Sequence, residues 1–345
     1  MQINGRNIGD GNPCYIIAEM SANHAGSIDH AKEIIYAAKE AGANCLKIQT
    51  YTADTITMNC HNKYFRIDNG TWEGENLYSL YQKAYTPWEW QAELFETAKK
   101  AEIDFFSTPF DHTAVDFLED MGMQFYKIAS FELVDIPLIE YVASKRKPII
   151  MSTGMGSLGE IEEAVNVIKK YDCPLALLKC SSAYPAIPDS MNLKTIPNMK
   201  EIFNVPVGLS DHSMGSVAAV TAVALGANVI EKHFCLSRTI ENPDASFSME
   251  PDEFQVMVRD VRDAERALGK VSYSVTEGEK ENRKLRKSIF VNKDIAAGEA
   301  ITEENIRIVR PGYGVEPKYY NQILGTKAVK ELKAGMPLQI GDFSK

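Results

Sequence analysis

Two histidines close neighbouring apolar runs: His212 ends Pro206-Val-Gly-Leu-Ser-Asp-His212 and His233 ends Val229-Ile-Glu-Lys-His233. Each run reads as a buried parallel strand, and the stretch between them, 215–226, reads as a helix. The two rings would then stand on adjacent strands at their carboxyl-terminal edge, where an α/β barrel keeps its chemistry. Neutral imidazoles suit a divalent transition metal. Two of them without a thiolate leave coordination positions for water and a substrate carbonyl. The alternative is a pair of hydrogen-bonded core histidines.

The elements that must position such a pair recur along the first 275 residues. Apolar runs at 15–21, 45–50, 104–110, 125–130, 148–154, 175–181, 206–212 and 229–235 read as strands, enough to close a barrel. Helical patterns lie between them at 29–41, 87–101, 112–121, 136–145, 158–171 and 193–203, and 251–268 follows the last strand. This alternation predicts an α/β fold with one (β/α)8 TIM barrel over 1–275, rather than two smaller domains. The strands end in Glu19, Lys47, Thr108, Lys127 with Ser130, Ser152, Ser181, Ser210 with His212, and His233. An unpaired charge in a strand covered on both faces is costly, so Lys and Glu need a reason to be there. Structural ion pairs would account for one or two; the full set points to a site.

Beyond the barrel the texture changes. The polar stretch 276–287 predicts an exposed linker with some helix, and 288–345 predicts a small β-rich domain with Gly turns. That last part carries a loose echo, Val291-Asn-Lys-Asp-Ile-Ala-Ala-Gly against Val329-Lys-Glu-Leu-Lys-Ala-Gly. So short a unit buries a modest core and is expected to lean on its own barrel or on a partner chain.

Composition narrows the function classes. Lys and Arg number 37 against 47 Asp and Glu, a net charge of −10, which argues against nucleic acid as a partner. The start, Met1-Gln-Ile-Asn-Gly-Arg-Asn, lacks the apolar core of a signal peptide, and no run has the roughly 18 apolar residues of a membrane span. A cytoplasmic protein with no membrane partner is expected. The 6 cysteines form no Cys-x-x-Cys pair and read as reduced, packed thiols. Cys180, near a strand end, has nucleophile chemistry but no evident partner base, so packing is the expected role.

Gly154-Met-Gly156-Ser-Leu-Gly159 fits the dinucleotide fingerprint, follows a strand and opens a helix. The next strand, 175–181, lacks the terminal acid that would hold a ribose, and the motif falls on the fifth strand, so a nicotinamide oxidoreductase is disfavoured. The remaining physics is an anion cradle: amides at a helix start, Ser152 beside them, and Lys47 and Lys127 adding positive charge. In an acidic protein that cluster implies a small substrate bearing phosphate or carboxylate.

Ile17-Ala-Glu19-Met-Ser-Ala-Asn-His24, Phe106-Ser-Thr108-Pro-Phe110, Tyr126-Lys127-Ile-Ala-Ser130, Ser152-Thr-Gly154-Met155, Tyr184-Pro185, Gly208-Leu-Ser210-Asp-His212, Glu231-Lys-His233-Phe234 and Arg310-Pro-Gly312 resemble the sialic acid synthase family along essentially the whole chain. Tyr51-Thr-Ala-Asp-Thr and the stretches Leu77-Tyr-Ser-Leu-Tyr81 and Tyr85-Thr-Pro-Trp-Glu-Trp90 resemble its pseudaminic acid synthase branch; the N-acetylneuraminate and legionaminate branches are the alternatives.

The resemblance implies a (β/α)8 barrel followed by a C-terminal antifreeze-like (SAF) domain, and condensation of phosphoenolpyruvate with an acylated amino sugar. For the pseudaminic branch that sugar is 2,4-diacetamido-2,4,6-trideoxy-L-altrose. It implies that Lys47, Thr108, Lys127, Ser130, Ser152, Ser182 and Ser210 hold phosphoenolpyruvate, although other family members carry Asn where Ser182 stands. It also implies that His212 and His233 hold a divalent metal, Mn²⁺ with Mg²⁺ or Co²⁺ as alternatives. Glu19 would orient or deprotonate water, Glu132 would bond the sugar near its reacting end, and Tyr184 and Asp244 would contact it. Arg310 would reach from the SAF domain of one subunit into the barrel of the other in a domain-swapped homodimer. At sequence level Tyr184 also fits loop packing, Asp244 a turn and Arg310 a surface charge. The excursion over 51–86 reads as a specificity loop or a dimer contact. A non-enzymatic carbohydrate or ice binder is the reading that the SAF-like tail alone would suggest.

Overall fold

Aliphatic runs rich in Val, Ile and Leu have one stable fate in a parallel sheet, burial on both faces. The computed structural model, which describes residues 1–344, turns them into strands β1 (Tyr15–Glu19), β2 (Cys45–Thr50), β3 (Asp104–Pro109), β4 (Tyr126–Ile128), β5 (Ile149–Ser152), β6 (Leu175–Cys180), β7 (Val207–Asp211) and β8 (Val229–His233). They close a parallel barrel in sequence order, with β8 paired to β1 so that His233 stands opposite Glu19. Helices α1 (Ile28–Glu40), α2 (Trp88–Lys100), α3 (His112–Asp120), α4 (Ile136–Ser144), α5 (Leu158–Lys169), α6 (Thr195–Phe203), α7 (Val217–Ala224) and α8 (Pro251–Leu268) alternate with the strands.

The helices begin where the sequence supplies caps. Ser27, Asp111 and Asp135 accept hydrogen bonds from first-turn amides of α1, α3 and α4, and Ser157 with Glu160 forms a capping box on α5. That box uses two of the amides at the helix start expected to cradle an anion: the Ser157 amide donates to Glu160, 2.7 Å away, and the Glu160 amide donates to Ser157 Oγ. At the other end of the barrel the amino-terminal hairpin sends Ile3 and Ile8 into the core, and its turn residue Asn4 bonds Asp104 at the start of β3.

Several strands stop short of the predicted ranges. The last residues of a barrel strand leave the ladder to build the loops above it, and Ser130, predicted to end a strand, instead opens the 3-10 turn Ser130–Val134. The excursion after β2 contains two short helices, Ala53–Ile56 and Leu77–Ala84.

The chain divides into two compact units, Met1–Gly269 and Lys270–Lys345. The second has its own small core, including Ile289, Val291, Ile301, Ile323 and Leu338, around strands β9 (Ser288–Val291), β10 (Ile306–Val309), β11 (Lys327–Ala328) and β12 (Phe343–Ser344). The antiparallel β9–β10 and β11–β12 pairs match the short β pieces expected there. Short helical turns at Glu277–Glu279 and Lys280–Arg283 fall in the expected linker.

Gly208 tests the barrel's packing directly, since a Cβ there would run into the Val229 carbonyl oxygen on the adjacent strand, whereas a Cβ at Gly159 meets nothing. Gly208→Ala is expected to destabilise by about 1–3 kcal/mol and Gly159→Ala to be neutral or mildly stabilising. Denaturant unfolding of both variants checks this, and equal midpoints would contradict the close approach.

Candidate active site

Alternation along a strand puts every second side chain into the barrel, and four charged ones meet there. Lys47 Nζ lies 2.8 Å from Glu231 Oε1 and 3.2 Å from Glu19 Oε2; Lys127 Nζ lies 3.8 Å from Glu231 and donates to Ser152 Oγ at 2.6 Å. Ser210 Oγ donates to Glu231 at 3.2 Å and Gln49 donates to Glu19 Oε1 at 2.9 Å. The Glu19–Lys47 contact is within ion-pair range but off the hydrogen-bonding direction, so Glu19 Oε2 has no donor. Thr108 Oγ1, Glu132 Oε2, Glu231 Oε2 and His233 Nδ1 are likewise buried without partners. Unsatisfied polar atoms gathered at one strand edge mark where a polar ligand or water belongs.

The network sets different protonation tendencies. Burial lifts Glu19 well above the usual carboxylate range, helped by the Glu231 charge, with Lys47 opposing. Burial also acts on Glu231, but Lys127 and Lys47 more than offset it and hold it low. Of the two carboxylates beside Lys47, Glu231 therefore carries the charge and Glu19 is the one able to take a proton. Burial brings Lys127 down to about 8 against the pull of Glu231, so an arriving anion would reinforce its positive charge.

The histidines form the second half of the site. Their ring centroids are 5.5 Å apart, and Tyr184 lies 4.2 Å from the His212 ring and 6.2 Å from that of His233. His212 Nδ1 faces the Ser181 carbonyl at 3.2 Å, which leaves Nε2 for a ligand, the usual arrangement of a metal-binding imidazole. Burial, with His212 and Lys47 adding to it, holds His233 well below its ordinary value and hence neutral. Asp244 Oδ2 stands 3.9 Å from His233 Nδ1 and accepts from the Ala22 amide at 3.2 Å. This donor set fits a divalent cation. Among the described residues no group of three or more His, Cys, Asp or Glu is arranged to hold one, so further ligands would be water or substrate oxygens.

Other residues singled out in the sequence are placed as follows. Ser130 Oγ accepts from the Gly154 amide at 3.1 Å, and Ser182 Oγ is 3.6 Å from Cys180 Sγ. A Cβ at Gly154 would strike both serines, so this glycine serves side-chain packing rather than a dinucleotide. Thr108 is buried at the end of β3. Glu132 is raised by burial to about 7 while Lys127 and Lys47 oppose, which places it within their electrostatic reach. Arg310 belongs to the second unit, exposed just after β10. Two residues went unassigned. Glu231 had a signal, since it stands two before His233 on one strand and so shares its face. Cys180 is expected to pack without a partner base; the structure buries it and puts its thiol 3.8 Å from His212 Nδ1, the same nitrogen that donates toward the Ser181 carbonyl and so is not free to act as a base. Burial alone would lift that thiol, but His212 more than offsets it and brings it to about 6.

Fold and site together define a (β/α)8 barrel whose carboxyl-terminal edge pairs a lysine-lined anion pocket with two imidazoles. The chain belongs to the NeuB family, whose model matches residues 34–273, and the SAF domain model matches 286–344. It is 48% identical over 330 residues, 95% of this chain and 96% of the relative, to a pseudaminic acid synthase of Campylobacter jejuni. Against an N,N'-diacetyllegionaminic acid synthase of Legionella pneumophila the identity is 38% over 94% of this chain and 93% of the relative. The solved N-acetylneuraminic acid synthetase of Leptospira borgpetersenii superposes with a TM-score of 0.73 at 33% identity, covering 82% of this chain and 94% of that one.

Glu132 offers a test independent of catalysis. Its folded-state carboxyl lies above the ordinary 4.5, so its contribution to stability is lost as pH rises from about 4.5 through about 7. Glu132→Gln is therefore expected to gain melting temperature over the parent at pH 8 and to gain less at pH 5. An equal shift at both pH values would contradict the raised carboxyl.

Proposed function

We propose that this chain is a pseudaminic acid synthase, condensing phosphoenolpyruvate with 2,4-diacetamido-2,4,6-trideoxy-L-altrose to give pseudaminic acid and phosphate. The observation that carries the reading is the buried Lys47–Glu231–Lys127 cluster sharing one barrel edge with His212 and His233. The full-length likeness to pseudaminic acid synthase supports the choice of acceptor. Lys47, Lys127, Ser152 and Ser210, with Thr108, Ser130 and Ser182 around them, hold the phosphate and carboxylate by charge-assisted hydrogen bonds. His212 and His233 would hold a divalent ion, Mn²⁺ or else Mg²⁺ or Co²⁺, which would supply polarisation of the open-chain aldehyde. Tyr184, Asp244 and Glu132 orient the sugar so that the enol carbon C3 attacks C1, and the aldehyde oxygen becomes a hydroxyl by taking the proton that the raised Glu19 carboxyl carries. Water then adds to the cation at C2. Glu19, whose raised carboxyl is suited to taking the proton of that water, acts as the base, and loss of phosphate from the resulting adduct leaves the 2-keto acid.

The same reading takes the barrel as 1–275, a linker as 276–287 and the SAF domain as 288–345, in a cytoplasmic enzyme. None of its described helices is long and apolar enough to cross a membrane. In a domain-swapped homodimer Arg310 would present its guanidinium fork to the acylated sugar in the other subunit's barrel.

Mixing phosphoenolpyruvate with a panel of acylated hexoses is expected to release phosphate with the diacetamido-trideoxy sugar and only weakly with N-acetylmannosamine. Chelation should abolish turnover and Mn²⁺ restore it. Comparable efficiency on both sugars would favour the sialic acid branch, and undiminished activity after metal stripping would remove the histidine assignment.

Glu19→Gln is expected to cut turnover about 100-fold or more while phosphoenolpyruvate still binds. If Arg310→Ala is also inactive, mixing the two variants tests the swap. Action in trans gives one intact site per heterodimer and activity returns on subunit exchange; action in cis returns none.

A further inference from the structure

The excursion between β2 and α2 does more than cover the barrel. Its tip turns tightly: Gly74 N donates to Ile67 O at 2.8 Å, Ile67 N donates to Glu75 O at 3.0 Å, and Gly70 and Gly74 adopt positive φ. The turn aims Thr71 and Trp72 at two different site loops. The Thr71 hydroxyl bonds the Tyr184 carbonyl, after β6, and Trp72 Nε1 donates to the Pro243 carbonyl, after β8, at 2.8 Å. That bond uses the single polar atom of the indole, so what the ring still presents is carbon surface.

That surface is one side of a corner. The Trp72 ring lies 5.3 Å from Tyr184 and 6.0 Å from Phe247, and Tyr184 and Phe247 are 5.1 Å from each other. Phe247 in turn sits 5.0 Å from the His233 ring, and Tyr184 lies against His212. Trp72 is therefore one ring removed from the histidine pair, and the corner carries none of the charge of the lysine cluster. Phe247 is buried, while Trp72 is only half-buried and keeps ring surface open. Such a corner welcomes a methyl group and penalises a hydroxyl, which would lose water without finding a partner on the indole or on Phe247.

We propose that Trp72 is a specificity-determining residue, forming with Tyr184 and Phe247 an apolar corner that receives a methyl group of the acceptor sugar. The inference rests on the condensing-synthase reading and adds to it which residue selects the sugar and by what chemistry. Two sources of a methyl exist in the proposed acceptor, an acetamido group and the deoxygenated terminal carbon. The corner's chemistry is the same for both.

The test compares the diacetamido-trideoxy hexose with two analogues, one restoring the 6-hydroxyl and one replacing the 4-acetamido group by hydroxyl. Phosphate release is followed with wild type, Trp72→Ala and Trp72→Phe. No turnover by wild type on the parent sugar would refute the function proposed above rather than this corner. Given turnover, Trp72→Ala is expected to raise KM for the sugar about tenfold or more, the scale of a lost apolar contact in a pocket, with KM for phosphoenolpyruvate changing less than twofold. Its preference for the parent over one analogue should fall by a similar factor, and the analogue concerned identifies the methyl being read. Trp72→Phe keeps a ring but loses the bond to Pro243, so it should fall between the two, and it decides the matter if the alanine variant does not fold. Selectivity ratios within twofold of wild type in a folded variant overturn the proposal, because loosening of the loop alone would weaken all three sugars alike.

Discussion

Lys47 held between Glu19 and Glu231, with Lys127 near the same Glu231 oxygen, is the interaction on which the rest of the barrel is arranged. All four side chains are buried, and taking one away would leave the others uncompensated, at a cost of about 3–5 kcal/mol. A set of well-packed apolar residues would serve stability as well or better. The cluster therefore belongs to chemistry, and the fold is built to tolerate it. Strand parity brings the groups to one interior, Gln49 and Ser210 supply further donors, and Gly154 stays small so that Ser130 and Ser182 can close in beside it.

Glu19 links the two halves of the site. Its strand position pairs it with His233 across the β1–β8 seam, while its side chain reaches Lys47. With Glu231 holding the negative charge, Glu19 is the cheaper of the two to protonate. Under the proposed function, an anion entering against Lys47 and Lys127 would stabilise their positive charge and shift the balance again, coupling substrate arrival electrostatically to the readiness of Glu19. A lone carboxylate in a neutral pocket would lack that link.

How much of this was legible in the sequence follows from the range of the contacts involved. The strands could be read because a parallel strand covered on both faces must be a continuous apolar run, and the helices because their periodic patterns fill the gaps between those runs; the caps at Ser27, Asp111, Asp135 and Ser157 fix where they start. Strand ends were less legible, as Ser130 shows, because leaving the ladder depends on the loop that follows. Glu231 was readable by parity with His233. The Cys180–His212 contact, the bond from Ala22 to Asp244 and the anchoring of Trp72 on Pro243 were not, since each joins segments distant in sequence with no local pattern to announce them.

The Gly154–Gly159 stretch shows why spacing alone misleads. In a dinucleotide fold the first glycines let backbone approach a pyrophosphate; here Gly154 lets it approach Ser130 and Ser182, and Gly156 leaves room for Leu133. The constraint of close approach is the same but the neighbour differs, and the Ser157 amide at the helix start is taken by Glu160. The cationic groups instead come from strands, whose positions are fixed by the barrel's hydrogen bonds, while the aromatic corner comes from the loops above them. Rigid strands suit a small anion that must be placed exactingly, and replaceable loops suit a sugar whose identity can change without disturbing the reaction beneath it.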